Sequence, residues 1–156
     1  MTEISHQSGL AGTLGRGGFA ITAEITPPVS GAPDELLAAA TPFRGRVDAL
    51  NVTDGPRGLV HMSSVAAAAI LASNGIEPIL QMTCRDRNRI AMQGDLLGAS
   101  ALGIRNILAL RGDDPPADQT PPAKPVFDLD SRELIEIATR MQTEGVCGGD
   151  RNIATP

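Results

Sequence analysis

Leu108-Ala109-Leu110-Arg111-Gly112-Asp113-Asp114-Pro115, closed by Pro116, is an apolar run that empties abruptly into a polar loop. The run reads as a buried parallel strand, and in α/β proteins ligands sit at the C-terminal ends of such strands. The loop sets a cation, a glycine amide and two carboxylates side by side, and the double proline stops the chain from continuing as strand or helix. Gly112 permits close approach of the backbone to a ligand. Two readings of Asp113 and Asp114 stay open. A carboxylate beside Arg111 can remain ionised and orient a substrate amide or amino group. Alternatively, either acid caps its own loop through backbone N–H groups.

The same theme of strand, polar loop and helical pattern recurs upstream. Phe19 to Ile25 predicts a first strand, stopped by Pro27-Pro28, and Pro33-Asp34-Glu35 opens a helix to about Thr41. Val47 to Thr53 predicts a second strand ending in Asp54-Gly55-Pro56, followed by an Ala-rich helix from Ser63 to Ser73 and an Asn74-Gly75 stop. Ile76 to Thr83 and Ile104 to Leu110 predict the third and fourth strands, with a helix from Asn88 to Leu102 between them. A last helix runs from about Ser131, as N-cap, to Glu144. Strands alternating with helices imply parallel pairing through right-handed crossovers, and the lack of clean alternation suggests strands buried on both faces. Four such units make either a small doubly wound sheet or the first half of a (β/α)₈ barrel, which needs about 250 residues. The polar, Gly-rich residues 1–18 read as a flexible leading segment and 19–156 as the domain. Gly145 to Pro156 reads as a loop entering a fifth strand that is not reached, so a truncated barrel is the expectation.

Strand ends supply the remaining candidates. Glu24 precedes a Thr-Pro-Pro stop; desolvated in a barrel mouth it can act as a general acid, or it pairs with a neighbouring arginine. Thr53 offers a hydroxyl next to turn amides, suited to a ring carbonyl or a phosphate, or it is an ordinary strand-end threonine. Gln81, Thr83 and Cys84 can hydrogen-bond a flat heterocycle, while Arg85, Arg87 and Arg89 read as a solvated face.

Composition narrows the classes. A net charge of −5 without a basic stripe argues against nucleic acid, as does the absence of Trp and Tyr. No apolar run approaches the roughly 20 residues of a membrane span, and the N-terminus has no signal-peptide core, so a cytoplasmic location is the expectation. Cys84 and Cys147 read as reduced thiols, and no metal-ligand spacing is present.

Taken together, Ala23-Glu24-Ile25-Thr26-Pro27-Pro28, Asn51-Val52-Thr53-Asp54-Gly55, Met82-Thr83-Cys84 and Leu108 to Pro116 resemble the methylenetetrahydrofolate reductase family, in the family's order and over about residues 19–140. The Arg-Gly-Asp-x-Pro-Pro loop is the most specific of these motifs. The resemblance implies a (β/α)₈ barrel with FAD, which passes a hydride from NAD(P)H or another donor to 5,10-methylenetetrahydrofolate, giving 5-methyltetrahydrofolate for one-carbon metabolism and methionine biosynthesis. It implies Glu24 as the general acid that helps open the five-membered ring to an iminium. Asp113 becomes the carboxylate that holds the pterin and tunes the flavin. Thr53, Gln81, Leu110, Arg111, Gly112 and Asp113 become the cofactor contacts. Two departures stand out: Ile25-Thr26 where many members have aromatics, and Gln81 where a flavin-contacting histidine is common. Glutamine carries no charge near pH 7.

A half-barrel leaves an unpaired strand edge and a half-covered inner face. The expected remedies are a longer chain, a homo-oligomer or a partner chain completing the barrel. Two other functions compete: a non-catalytic half-barrel that binds a partner, and a flavin-free folate-binding or methyl-transfer protein.

Overall fold

The computed structural model describes residues 9–118 and 121–154. Helix α1 (Gly9–Gly15) precedes strand β1 (Thr22–Ile25) and helix α2 (Pro33–Ala40). Strand β2 (Ala49–Val52), helix α3 (Ser64–Ser73), strand β3 (Pro78–Thr83), helix α4 (Arg89–Ala101) and strand β4 (Asn106–Leu110) follow in strict alternation, then helix α5 (Ser131–Thr143). The four long strands form one parallel sheet in the order β1-β2-β3-β4, the arrangement of consecutive βα units. The chain is therefore an α/β protein.

The strands alternate more cleanly than their sequences suggest. Ile25, Leu50, Val52, Leu80 and Met82 join one apolar core with Leu36, Ala67, Ala68, Leu71, Met92 and Leu96 of the helices. With a period of two, Glu24, Asn51, Thr53, Gln81 and Thr83 fall on the opposite face. That face is polar near the strand C-termini; burial on both faces holds for β3, where Gln81 and Thr83 are buried too, and not for β1 or β4. Alanines at 67 and 68 let α3 lie close to the sheet, and each is fully buried.

Caps set the helix starts. Ser63 accepts from Ala66 N–H at 3.3 Å and Asn88 from Ile90 and Ala91 N–H at 3.1 Å each. At α5 the cap is Asp130 rather than Ser131: Asp130 accepts from Glu133 N–H and Glu133 accepts from Asp130 N–H, both at 2.8 Å. Cys84 is fully buried and burial pushes its thiol above the ordinary value.

Two expectations are corrected. The described part of the leading segment is helix α1, whose first N–H groups, Gly9 and Leu10, donate to the Glu77 carboxylate at 2.6 and 3.3 Å. Thr13 Oγ1 donates to Asp48 at 3.1 Å. A carboxylate at a helix N-terminus is favourable, and these partners lie far along the chain, where local composition gives no sign of them. Since Asp48 and Glu77 precede β2 and β3, α1 sits at the end of the sheet opposite the Arg111 loop. In the tail, Val146–Cys147 (β5) and Arg151–Asn152 (β6) pair antiparallel as a small hairpin, instead of a loop leading to a fifth parallel strand. Gly149 and Asp150, at φ +72° and +53°, make its reversal, and Gly148 N–H donates to Gln93 Oε1 at 2.6 Å. Among the described residues no helix is long and apolar enough to cross a membrane.

Candidate functional site

Strand β1 and the loops after β2, β3 and β4 border an open cavity of about 590 Å³ at the C-terminal ends of the strands. Glu24, Thr53, Gln81, Leu110, Arg111, Gly112 and Asp113 all line it, with Asp54, Gly55, Pro56, Thr83, Arg85 and Asp114. Cys84, also a candidate from the third strand, does not: it is buried in the apolar core on the other face of the sheet.

The two carboxylates differ in company. Glu24 Oε2 accepts from Asn51 Nδ2 at 3.0 Å and from Gln81 Nε2 at 2.9 Å. Glu24 is exposed, so the desolvation expected of a general acid is not supplied by the described residues, and its partners are amides rather than an arginine. The Asp113 carboxylate, also exposed, accepts no hydrogen bond among the described residues; only its backbone carbonyl is used, by Arg85 at 3.3 Å. Arg111 instead pairs with Asp114 at 3.1 Å, donates to the Gly112 carbonyl at 2.9 Å and lies 4.1 Å from the centre of the Phe127 ring. The pair of acids is thereby split. Asp114 fixes Arg111, and the Asp113 carboxylate has no hydrogen-bond partner among the described residues.

Thr53 is 6 % exposed, and its hydroxyl is buried without a hydrogen-bond partner. A buried hydroxyl left unpaired costs free energy, and a ligand group that bonds it recovers that cost. Leu110 adds an apolar surface and Gln81 an unpartnered carbonyl, a mixture that suits a flat polar ring. Among the described residues no group of three or more His, Cys, Asp or Glu is placed to hold a metal.

Several residues that build the site were not singled out from the sequence. Asp54 accepts from Thr83 N–H at 2.8 Å, Thr83 Oγ1 at 3.1 Å and Ser64 Oγ at 2.9 Å, and it pairs with Arg87. It clamps the end of β2 to the end of β3 and the start of α3. Arg85 is 3 % exposed, bonded to Asp86 through two nitrogens and to the Gly55 carbonyl at 2.9 Å. The Asp86 hydrogen bonds raise its guanidinium pKa further above the ordinary value. The expected solvated face of Arg85, Arg87 and Arg89 is therefore wrong for the first two, and only Arg89 is largely exposed.

Gly112, which lines the cavity, is also tightly seated in the scaffold. It sits at φ +87°, and a Cβ there would lie 3.0 Å from Thr83 Cβ and 3.1 Å from Arg85 Cβ. The loop after β2 is seated as tightly: a Cβ on Gly58 would meet Pro115 Cα and Pro116 Cδ, each at 3.0 Å. Gly112→Ala is expected to cost about 2–3 kcal/mol, from the positive φ and the crowding against β3 together. The check is the midpoint of urea unfolding followed by far-ultraviolet circular dichroism.

Comparison with known proteins agrees with this geometry. A model of the family described as methylenetetrahydrofolate reductase matches residues 10–149. A Caenorhabditis elegans protein named "Probable methylenetetrahydrofolate reductase (NADPH)" is 43% identical over 60 residues, which are 38% of this chain and 9% of that protein. The match thus spans less than a tenth of that relative's length. With the family match running from α1 through α5 to Gly149, the chain belongs to the methylenetetrahydrofolate reductase family.

Proposed function

We propose that this chain carries the first four βα units of a (β/α)₈ barrel that reduces 5,10-methylenetetrahydrofolate to 5-methyltetrahydrofolate. The barrel wall is completed by further strands, in a longer chain or an assembly. One observation carries the reading: two exposed carboxylates, Glu24 and Asp113, and the buried, unpartnered Thr53 hydroxyl meet around one cavity at the strand C-termini. Such ends are where barrel enzymes place their chemistry.

The residues present fit a flavin. Thr53, Gln81 and the Leu110-Arg111-Gly112 segment would hold FAD, which supplies hydride transfer from NAD(P)H or another electron donor. Glu24 holds a proton and delivers it to a substrate nitrogen. Asp113 accepts hydrogen bonds from the amide and amino groups of the pterin, and its freedom from protein partners leaves its lone pairs for that task. Arg111, fixed by Asp114 and Phe127, keeps the rim of the cavity in place.

The test is the visible absorption spectrum of the purified chain after mixing with FAD and desalting. The expected result is a retained flavin band with vibronic structure, reduced about tenfold in affinity by Thr53→Val, which leaves the ring without its hydroxyl partner. Unchanged affinity in Thr53→Val would overturn the assignment of Thr53 to the flavin site, and a colourless protein would mean that the strands completing the barrel are required for it.

A further inference from the structure

Glu24 is held by more than an exposed carboxylate requires. Water can satisfy such a group from all sides, yet Oε2 takes amide hydrogen bonds from two strands, Asn51 on β2 and Gln81 on β3. Glu24 and Asn51 are register partners, while Gln81 reaches across from one strand further. Asn51 makes its bond at a cost. Its Oδ1 is buried with no partner, so the amide is turned to serve Glu24 while its own carbonyl goes unsatisfied. An orphaned buried acceptor costs on the order of 1–3 kcal/mol, and such exceptions call for a reason. Gln81 is committed in the same direction. Its Nε2 is spent on Glu24, and its carbonyl accepts no hydrogen bond among the described residues.

We propose that Asn51 and Gln81 are positioning residues for Glu24, holding Oε2 between two amide donors so that the acid form carries its proton on Oε1. This rests on the reading of Glu24 as the proton donor. The argument is one of donors and acceptors. A proton on Oε2 would be a third hydrogen competing for the region already occupied by two N–H groups, and at least one of those bonds would be lost. A proton on Oε1 disturbs neither, and Oε1 has no partner among the described residues. The pair therefore selects one oxygen, and with it one direction of proton delivery. The other charged groups of the cavity are already committed, Asp54 to Arg87, Arg85 to Asp86 and Arg111 to Asp114, while Asp113 is free. The amide pair is the one direct protein contact of the Glu24 carboxylate among the described residues.

The experiment uses the whole 156-residue chain with ¹³C-labelled glutamate, followed by carboxyl NMR and by pH-difference infrared spectroscopy. Gln81→Met keeps the volume of the side chain and removes the donor. It is expected to change the carboxyl ¹³C chemical shift of the ionised Glu24, since a hydrogen bond to Oε2 is lost. The carbonyl stretch of the protonated Glu24 should move to higher frequency, because that carbonyl is Oε2 and has lost one of its two donors. Asn51→Leu should act in the same direction, and Gln81→His, which restores an N–H, should return both readings toward the parent. A wild-type chemical shift and stretch in both Gln81→Met and Asn51→Leu, with circular dichroism unchanged, would overturn the proposal. A purely structural role would shift the melting temperature and leave both readings in place. Neither measurement needs flavin or folate, so the positioning of Glu24 stands or falls separately from the reductase reading.

Discussion

Asp54→Ala is expected to lower the stability of the fold by about 3–4 kcal/mol, a large fraction of what a domain of this size holds. The side chain is 11% exposed and its partner Arg87 18%, so the substitution takes away one of the two carboxylates that hold a largely buried guanidinium, leaving it Asp95 at 3.1 Å. It also leaves the Thr83 N–H, the Thr83 hydroxyl and the Ser64 hydroxyl without their acceptor. Asp54→Asn separates charge from geometry. One amide oxygen can keep the Thr83 bonds while the amide nitrogen faces Ser64, whose hydroxyl can turn to accept, so the loss should be about half as large. The measurement is urea unfolding by circular dichroism, because the chain has no Trp or Tyr to report by fluorescence. An equal midpoint for Asp54→Ala and the parent, at unchanged slope, would show that the clamp contributes nothing.

What the sequence could reveal follows the range of the interactions involved. The elements were legible because their signals are local: Asn74-Gly75 after α3, Pro33 with Asp34 and Glu35 at α2, and the double proline after Asp114 each act within a turn. The cavity wall was legible for a related reason. A parallel sheet brings all its strand ends to one side, so Glu24, Thr53, Gln81 and Asp113 needed only their own strands to be recognised. Asp54 was not legible as a clamp, since Asp-Gly-Pro is a turn by composition and its partners Thr83 and Arg87 lie 29 and 33 residues away. Arg85 failed in the same way, for a charged residue after a strand is exposed unless distant carbonyls happen to receive it. Asn51 did carry a signal. It alternates with Thr53 on β2 as Glu24 does with Thr22 on β1, and that period of two marks the polar face. Helix α1 is the opposite case, a Gly-rich segment ordered by the carboxylates of Asp48 and Glu77 rather than by its own propensity.

On the proposed reading, Glu24→Gln in a completed barrel is expected to reduce the folate half-reaction by about 10²–10⁴-fold while leaving reduction of the flavin by its electron donor within about twofold. The substitution is suited to the question. A glutamine at position 24 still presents one oxygen to the Asn51 and Gln81 amides, so the placement of the side chain is kept. What it loses is the proton: its other terminal atom is an amide nitrogen that does not release one near neutral pH. Asp113→Asn probes the complementary role. Replacing a free carboxylate acceptor by an amide that both donates and accepts should weaken folate binding, with a larger change in KM than Glu24→Gln produces. The two half-reactions, followed separately by stopped-flow absorbance of the flavin, distinguish proton delivery from cofactor disruption. Equal loss in both for Glu24→Gln would mean that the carboxylate supports the flavin site as a whole, and its assignment as the proton donor would fall. An unequal loss places the proton on the folate side of the reaction, where an exposed carboxylate held by two amides at the end of β1 can reach a substrate that enters from solvent.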